Sequence, residues 1–205
     1  MPTLTTRDRL IDAMVRALQR RGLHGVGLNE LLADAGAPKG VLYHHFPGGK
    51  VELAVAAIHS VVARIAASLD RVVEARGDPI PLLRQWLMGA QRQLEASGFE
   101  HGCPLATVAL ESTGDDAQLR HALAEAFATL RDRLGQALAA AGLTPERARA
   151  MSALVVAAYE GALMQARVAG DARPMQDAAD TLLTLLDAEL QRSRTRRRVP
   201  PKKPA

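Results

Sequence analysis

The chain has 205 residues, 48% hydrophobic but only 3% aromatic, with 26 Lys and Arg against 22 Asp and Glu. An apolar content made mostly of Ala, Leu and Val favours helix over sheet. A single cysteine, Cys103, excludes an internal disulfide framework and suits a reducing compartment. There is no charged-then-apolar leader, and no uninterrupted apolar run reaches the roughly 18 residues of a membrane span. The expectation is a cytoplasmic chain with no membrane partner.

The net charge of +4 is unevenly spread. Residues 1–50 hold seven cations and four acids, residues 51–191 hold twelve and eighteen, and residues 192–205 hold seven and none. A basic first segment and an acidic middle suit a nucleic-acid-facing end and a body that stays clear of it.

In chain order, Thr5-Thr6-Arg7-Asp8 has the form of a weak capping box. Leu10, Ile11, Met14, Val15 and Leu18 then make one apolar stripe of a first helix, which Gly22 ends. Leu28, Leu31 and Leu32 recur at helical spacing in a second, short helix that Gly36 stops. Pro38 suits the first turn of a third, which carries Lys39, Gly40, Tyr43 and His44. The Gly27–Lys50 stretch therefore reads as a helix-turn-helix, the third helix in the recognition position. Phe46-Pro47-Gly48-Gly49 breaks it and opens a long connecting helix from Lys50 to about Ala75.

Further helices are expected over about Ile80–Ala96, Leu105–Glu111 and Asp115 or Asp116 to Ala141. Thr144-Pro145-Glu146 is a strong start for the next, to about Ala169. A last helix runs over about Met175–Gln191. The expected fold is thus all-α with nine helices. Residues 1–50 form a three-helix DNA-binding head, 51–191 a larger ligand-binding and dimerisation domain, and 192–205 a basic disordered tail without apolar periodicity. The last two long helices are apolar on more than one face, which points to a homodimer with two helices from each copy.

The run Gly36-Ala37-Pro38-Lys39-Gly40-Val41-Leu42-Tyr43-His44-His45-Phe46, then Gly49-Lys50 and an apolar helix, resembles the TetR/AcrR family of bacterial regulators. Gly102-Cys103-Pro104, with Glu111 beyond, is similar to its LmrA/YxaF-like subgroup. The resemblance implies a homodimeric DNA-binding transcriptional regulator, in most cases a repressor released from double-stranded operator DNA by a small molecule. The implied DNA contacts are Lys39, Gly40, Tyr43, His44 and Lys50, with Gly27, Leu28 and Pro38 at the helix starts. Relatives usually carry a hydroxyl where this chain has Gly27 and Pro38, so backbone N–H groups, Lys39, Tyr43 and Lys50 are expected to take more of the phosphate contact. His45 and Phe46 read as packing residues of the head.

Candidates for an effector cavity are Trp86, Phe99, Cys103, Phe127, Tyr159, Glu160, Met164 and Gln165. For any one of the apolar side chains a plain core role is the simpler reading. Polar groups on apolar helices, namely Tyr159, Glu160 and Gln165, are more telling, because a buried polar group needs a partner. No metal site is expected: adjacent residues such as His44 and His45 point about 100° apart on a helix and rarely share one ion. No cofactor motif and no enzyme motif is found. The alternative is a helical small-molecule-binding protein or enzyme without operator binding, for which His101 and Cys103 would be the nucleophile pair.

Overall fold

The computed structural model describes residues 4–74 and 78–198. Among the described residues there are nine helices and no strand: α1 Thr6–Arg21, α2 Leu28–Ala35, α3 Lys39–His45, α4 Gly49–Glu74, α5 Ile80–Ala96, α6 Pro104–Glu111, α7 Ala117–Ala140, α8 Pro145–Ala169 and α9 Arg173–Arg198. The all-α expectation holds helix by helix, with two changes of boundary. Pro38 caps α3 from outside, at φ −72° and ψ 153°, and does not fill its first turn. Helix α9 continues past Gln191 to Arg198, so the first part of the expected tail is helical; residues 199–205 lie outside the described residues.

Local chemistry accounts for the helix ends. The Thr5 hydroxyl accepts the Asp8 N–H while the Asp8 carboxylate accepts the Thr5 N–H, the reciprocal capping box anticipated at this end. The Thr144 hydroxyl accepts the Arg147 N–H at the start of α8, where Pro145 lacks a donor that would go unused.

Two buried clusters lie along one axis. The first joins α1, α2 and α3 to the first half of α4 (Leu53, Ala57, Ile58, Val61), to α6 and the first half of α7, to the last turns of α8 and to Met175 of α9. The second joins Leu69 of α4 to Leu83 and Leu87 of α5, the end of α7, the start of α8 and Leu182–Leu190 of α9. Ile65 and Tyr159 pack against both and mark the seam. Helices α4 and α9 therefore run away from the head, and α8 runs back towards it. The expected boundary at residue 50 falls in the first turn of α4, across which the buried core is continuous.

Helix α4 holds no uninterrupted apolar run of membrane-spanning length, since His59, Ser60 and Arg64 fall within it. Over Gly49–Arg71 it is long and apolar enough to cross a membrane by length and composition. Its Leu53, Ala54, Ala57 and Ile58 are fully buried in the core, and 28% of the apolar window is buried in all.

Phe46 is the largest fully buried side chain of the head, and the Arg7 guanidinium lies 5.3 Å over its ring. Phe46→Ala should lower unfolding free energy by ~3–5 kcal/mol, whereas Thr5→Ala should cost ~1 kcal/mol; urea titration followed by helical circular dichroism measures both.

Candidate DNA-binding surface and its joint with the body

The turn between α2 and α3 is built from Gly36, at φ 58° and ψ 40°, with the Ala37 N–H closing onto the Leu32 carbonyl at 3.0 Å. That left-handed geometry suits a residue without a Cβ. Beyond it, α3 divides cleanly by face. Leu42 and the following Phe46 are buried, at 0% and 1% exposure. Lys39, Gly40, Tyr43 and His44 are exposed, with Tyr43 at 46%. The His44 and His45 rings meet edge-on at 5.1 Å, and half-buried His45 meets Phe46 at 6.4 Å, so His45 does pack within the head.

Helix starts at Gly27 and Pro38 have no side-chain cap bond, as glycine and proline dictate. Gly27 is exposed and Leu28 half-buried against the core. Gly49 has φ 68°, and a Cβ there would sit 3.3 Å from the Tyr43 ring, so the glycine lets α4 start directly under that tyrosine. Lys50, expected at phosphate, is also engaged within the head. Its ammonium donates to the Val26 carbonyl at 2.5 Å, and partial burial lowers its pKa, with Glu111 opposing that shift. In this structure Lys50 fastens the connection before α2 to the start of α4.

A second set of contacts holds the end of α1 against the body. The last carbonyls of a helix have no partner within it. Here the Gly102 N–H donates to the Gln19 carbonyl at 3.0 Å, and the Arg167 guanidinium donates to the Arg20 carbonyl at 2.7 Å. The Glu111 carboxylate at the end of α6 accepts the Leu23 N–H at 2.6 Å and the His24 N–H at 3.4 Å. Gly22 makes room for it: φ is 73°, and a Cβ would fall 2.0 Å from Glu111 Oε1. Sequence reasoning missed Gly102, Glu111 and Arg167 as joint residues. A cation in the last turn of α8 reads as an ordinary complement to the helix dipole, and nothing local names its partner in α1.

The effector candidates separate into three places. Trp86, Tyr159, Glu160 and Cys103 come together: the Trp86 and Tyr159 rings stack at 4.7 Å, tilted by 38°, and Glu160 is hydrogen-bonded to the Cys103 thiol. Phe99 lies in the adjoining turn, half-buried, at φ 64°, a left-handed conformation rarely held by an aromatic residue. Phe127 lies elsewhere, in an open groove of about 400 Å³ between α6 and α7. Met164 and Gln165 are exposed on α8, and Gln165 donates to the Gly161 carbonyl. They lie on the outward face of α8, whose other face buries Leu163 and Ala166.

Glu160 Oε2 is buried with no hydrogen-bond partner among the described residues. Burial raises this carboxyl to about 7, and the Cys103 hydrogen bond pulls the other way. Burial, reinforced by Glu160, pushes the Cys103 thiol well above the ordinary thiol range. A thiol held protonated is a poor nucleophile, which weakens the catalytic pairing of His101 with Cys103.

Residues 10–57 match the family of bacterial regulatory proteins of the tetR type, and residues 79–181 match the C-terminal domain of LmrA/YxaF-like transcriptional regulators. The chain belongs to the TetR family. Among TetR-family relatives, it is 32% identical to an uncharacterised helix-turn-helix regulator of Mycobacterium tuberculosis, over 92% of this chain and 98% of that one. It is 30% identical to the transcriptional regulator LmrA of Bacillus subtilis, over 88% and 96%. Among solved structures, the regulatory protein TetR of Rhodobacter sphaeroides is 26% identical, with a TM-score of 0.76 over 86% of this chain and 96% of that one. A TetR regulator of Legionella pneumophila shares the fold, with a TM-score of 0.78 at 17% identity over 89% and 97%.

Two predictions follow from the joint and the buried carboxyl. Gly22→Ala and Glu111→Ala should each destabilise the chain by ~1–3 kcal/mol and speed amide hydrogen exchange at Leu23, measured by mass spectrometry. Glu160 titrates at about 7 in the folded chain against an ordinary 4.5, so folding takes up a proton between those values. Its contribution to stability therefore falls as pH rises through that window and levels off above about 7. Glu160→Gln should remove this slope and raise the melting temperature most above pH 7, read by differential scanning fluorimetry from pH 5 to pH 8.

Proposed function

We propose that this TetR-family chain is a ligand-responsive transcriptional repressor that binds double-stranded operator DNA as a homodimer and is released by a small-molecule effector. It acts in the cytoplasm, where its DNA is, and without catalysis. The observation that carries the reading is α3, which buries Leu42 against the head and turns Lys39, Gly40, Tyr43 and His44 outward on one short helix. That arrangement fits a major groove: Lys39 reaches a phosphate or a guanine edge, and Gly40 lets the backbone approach closely. Tyr43 brings a phenol to a phosphate, and His44 reaches a phosphate or a base edge. Gly27, Leu28 and Pro38 contribute through the backbone at the two helix starts. Lys50 serves mainly to hold α4 to the head, given its bond to Val26.

Leu154, Met164 and Val168 of α8 and Leu185 of α9 are large, apolar and exposed, Val168 at 85%. Covered by the same helices of a second copy, they would form the dimer seam, and Met164 and Gln165 would belong to it. The effector is assigned to the interior between α5 and α8, around Trp86, Tyr159, Glu160 and Cys103. An effector that prefers a dimer with its recognition helices spaced away from the ~34–36 Å of successive major-groove half-sites would weaken operator binding.

Fragments of the source genome selected by the purified protein, then used in gel shifts, test this reading. Lys39→Ala should weaken binding to every selected fragment and lower the salt slope by about one. Leu154→Glu with Val168→Glu should give a monomer by analytical ultracentrifugation, with operator affinity reduced more than tenfold. A protein that retains no fragment would refute the reading.

A further inference from the structure

Helix α1 ends at the body, where the Gly102 N–H and the Arg167 guanidinium close on its Gln19 and Arg20 carbonyls. Its 16 residues, at ~1.5 Å each, carry its first turn ~22 Å away from that joint. There the start of α1 meets the end of α3. The Arg7 guanidinium lies 5.3 Å over the ring of Phe46, the residue that caps α3.

Arg7 is exposed, and among the described residues its guanidinium makes no ion pair and no hydrogen bond. Five N–H donors are therefore open to a partner from outside. The acid beside it, Asp8, is turned to the Thr5 N–H and hydroxyl in the capping box. Thr5, more than Arg7, holds that carboxyl below the usual range. Arg9, two positions on, falls about 200° around the helix and donates to the Thr6 hydroxyl.

The ring supplies position. Phe46 is 1% exposed and fixed in the core of the head, so the planar fork stacked on it is confined before any partner arrives. From Arg7 to Phe46, on to His45 and on to outward-facing His44, the steps are 5.3, 6.4 and 5.1 Å. Lys39 stands at the other end of α3, ~10 Å along the helix axis. A major groove is ~12 Å wide, with a phosphate strand along each rim. A recognition helix seated there carries a cation at either end, Lys39 at its start and Arg7 beyond its last turn.

We propose that Arg7, which lies before the helix-turn-helix, is a phosphate contact of the DNA-binding surface, its guanidinium held ready by Phe46. This rests on the operator-binding reading above. The contact carries no sequence information; it fixes the register in which α3 sits in the groove.

The test measures operator affinity by fluorescence anisotropy across a salt series, on fragments selected by the wild-type chain, for Arg7→Met and Arg7→Lys. Met keeps an apolar side chain on the Phe46 ring and removes the charge; Lys keeps the charge and loses the flat fork. Arg7→Met should bind about tenfold more weakly at low salt, approach the wild type at high salt, and lower the salt slope by about one. The rank order of the fragments should stay the same, since phosphates are alike in all of them. Arg7→Lys should keep the wild-type slope and most of the affinity. The proposal is overturned if Arg7→Met keeps the wild-type slope, whether or not affinity falls, because a purely structural ring contact weakens binding at every salt alike. It is also overturned if Arg7→Lys loses slope as Met does, or if the rank order changes, which would make Arg7 a reader of bases. A wild type that retains no fragment refutes operator binding itself, and the contact with it.

Discussion

The structure depends on how the open end of α1 is closed. A helix finishes with carbonyls that need donors, and here two of those donors come from outside the head: the Gly102 N–H and the Arg167 guanidinium. The Glu111 carboxylate adds the reverse contact, accepting N–H groups just past the helix. The orientation of the head is therefore not left to the α4 connection alone. It is specified at a buried glycine pocket around Gly22, where a carboxylate fills the place a side chain would take. Surface ion pairs such as Arg16–Asp34 and Arg21–Glu30 tie α1 to α2, but exposed pairs of this kind are worth ~0–1 kcal/mol each and do not compete with the joint.

Deeper in the chain, Glu160 is a group the fold does not fully satisfy. Its Oε2 has no hydrogen-bond partner among the described residues, beside a protonated thiol and a stacked pair of rings. A buried carboxyl of this kind stays near neutrality by holding its proton rather than its charge, which is why burial raises it to about 7. An interior left in that condition costs stability, and an occupant that offers a donor would recover part of the cost.

Much of the fold was legible because its signals are local. The capping residues Thr5 and Thr144, the terminating Gly22 and Gly36, and the apolar stripe of α1 each act within a turn or two, so helix order and most boundaries could be read directly. The outward face of α3 was legible for the same reason. Lys50 was not, because its partner Val26 lies twenty-four positions away and only the packed head brings them together. Met164 and Gln165 looked like interior polar and soft apolar groups because α8 is apolar around much of its circumference, and periodicity alone does not say which side faces out. The end of α9 was placed too early because the apolar pattern stops at Leu190 while Arg, a good helix former, continues the helix.

Helix α8 bears both Glu160 and Arg167, separated by seven residues, or about two turns and ~10 Å of rise. Those two positions fall on nearly the same side of one continuous α-helix that contains no proline after Pro145. Such a rod has little give along its axis. The same helix therefore carries the unsatisfied carboxyl in the interior and the guanidinium that closes the end of α1. The interior of the chain and the joint of its head are two marks on one ruler.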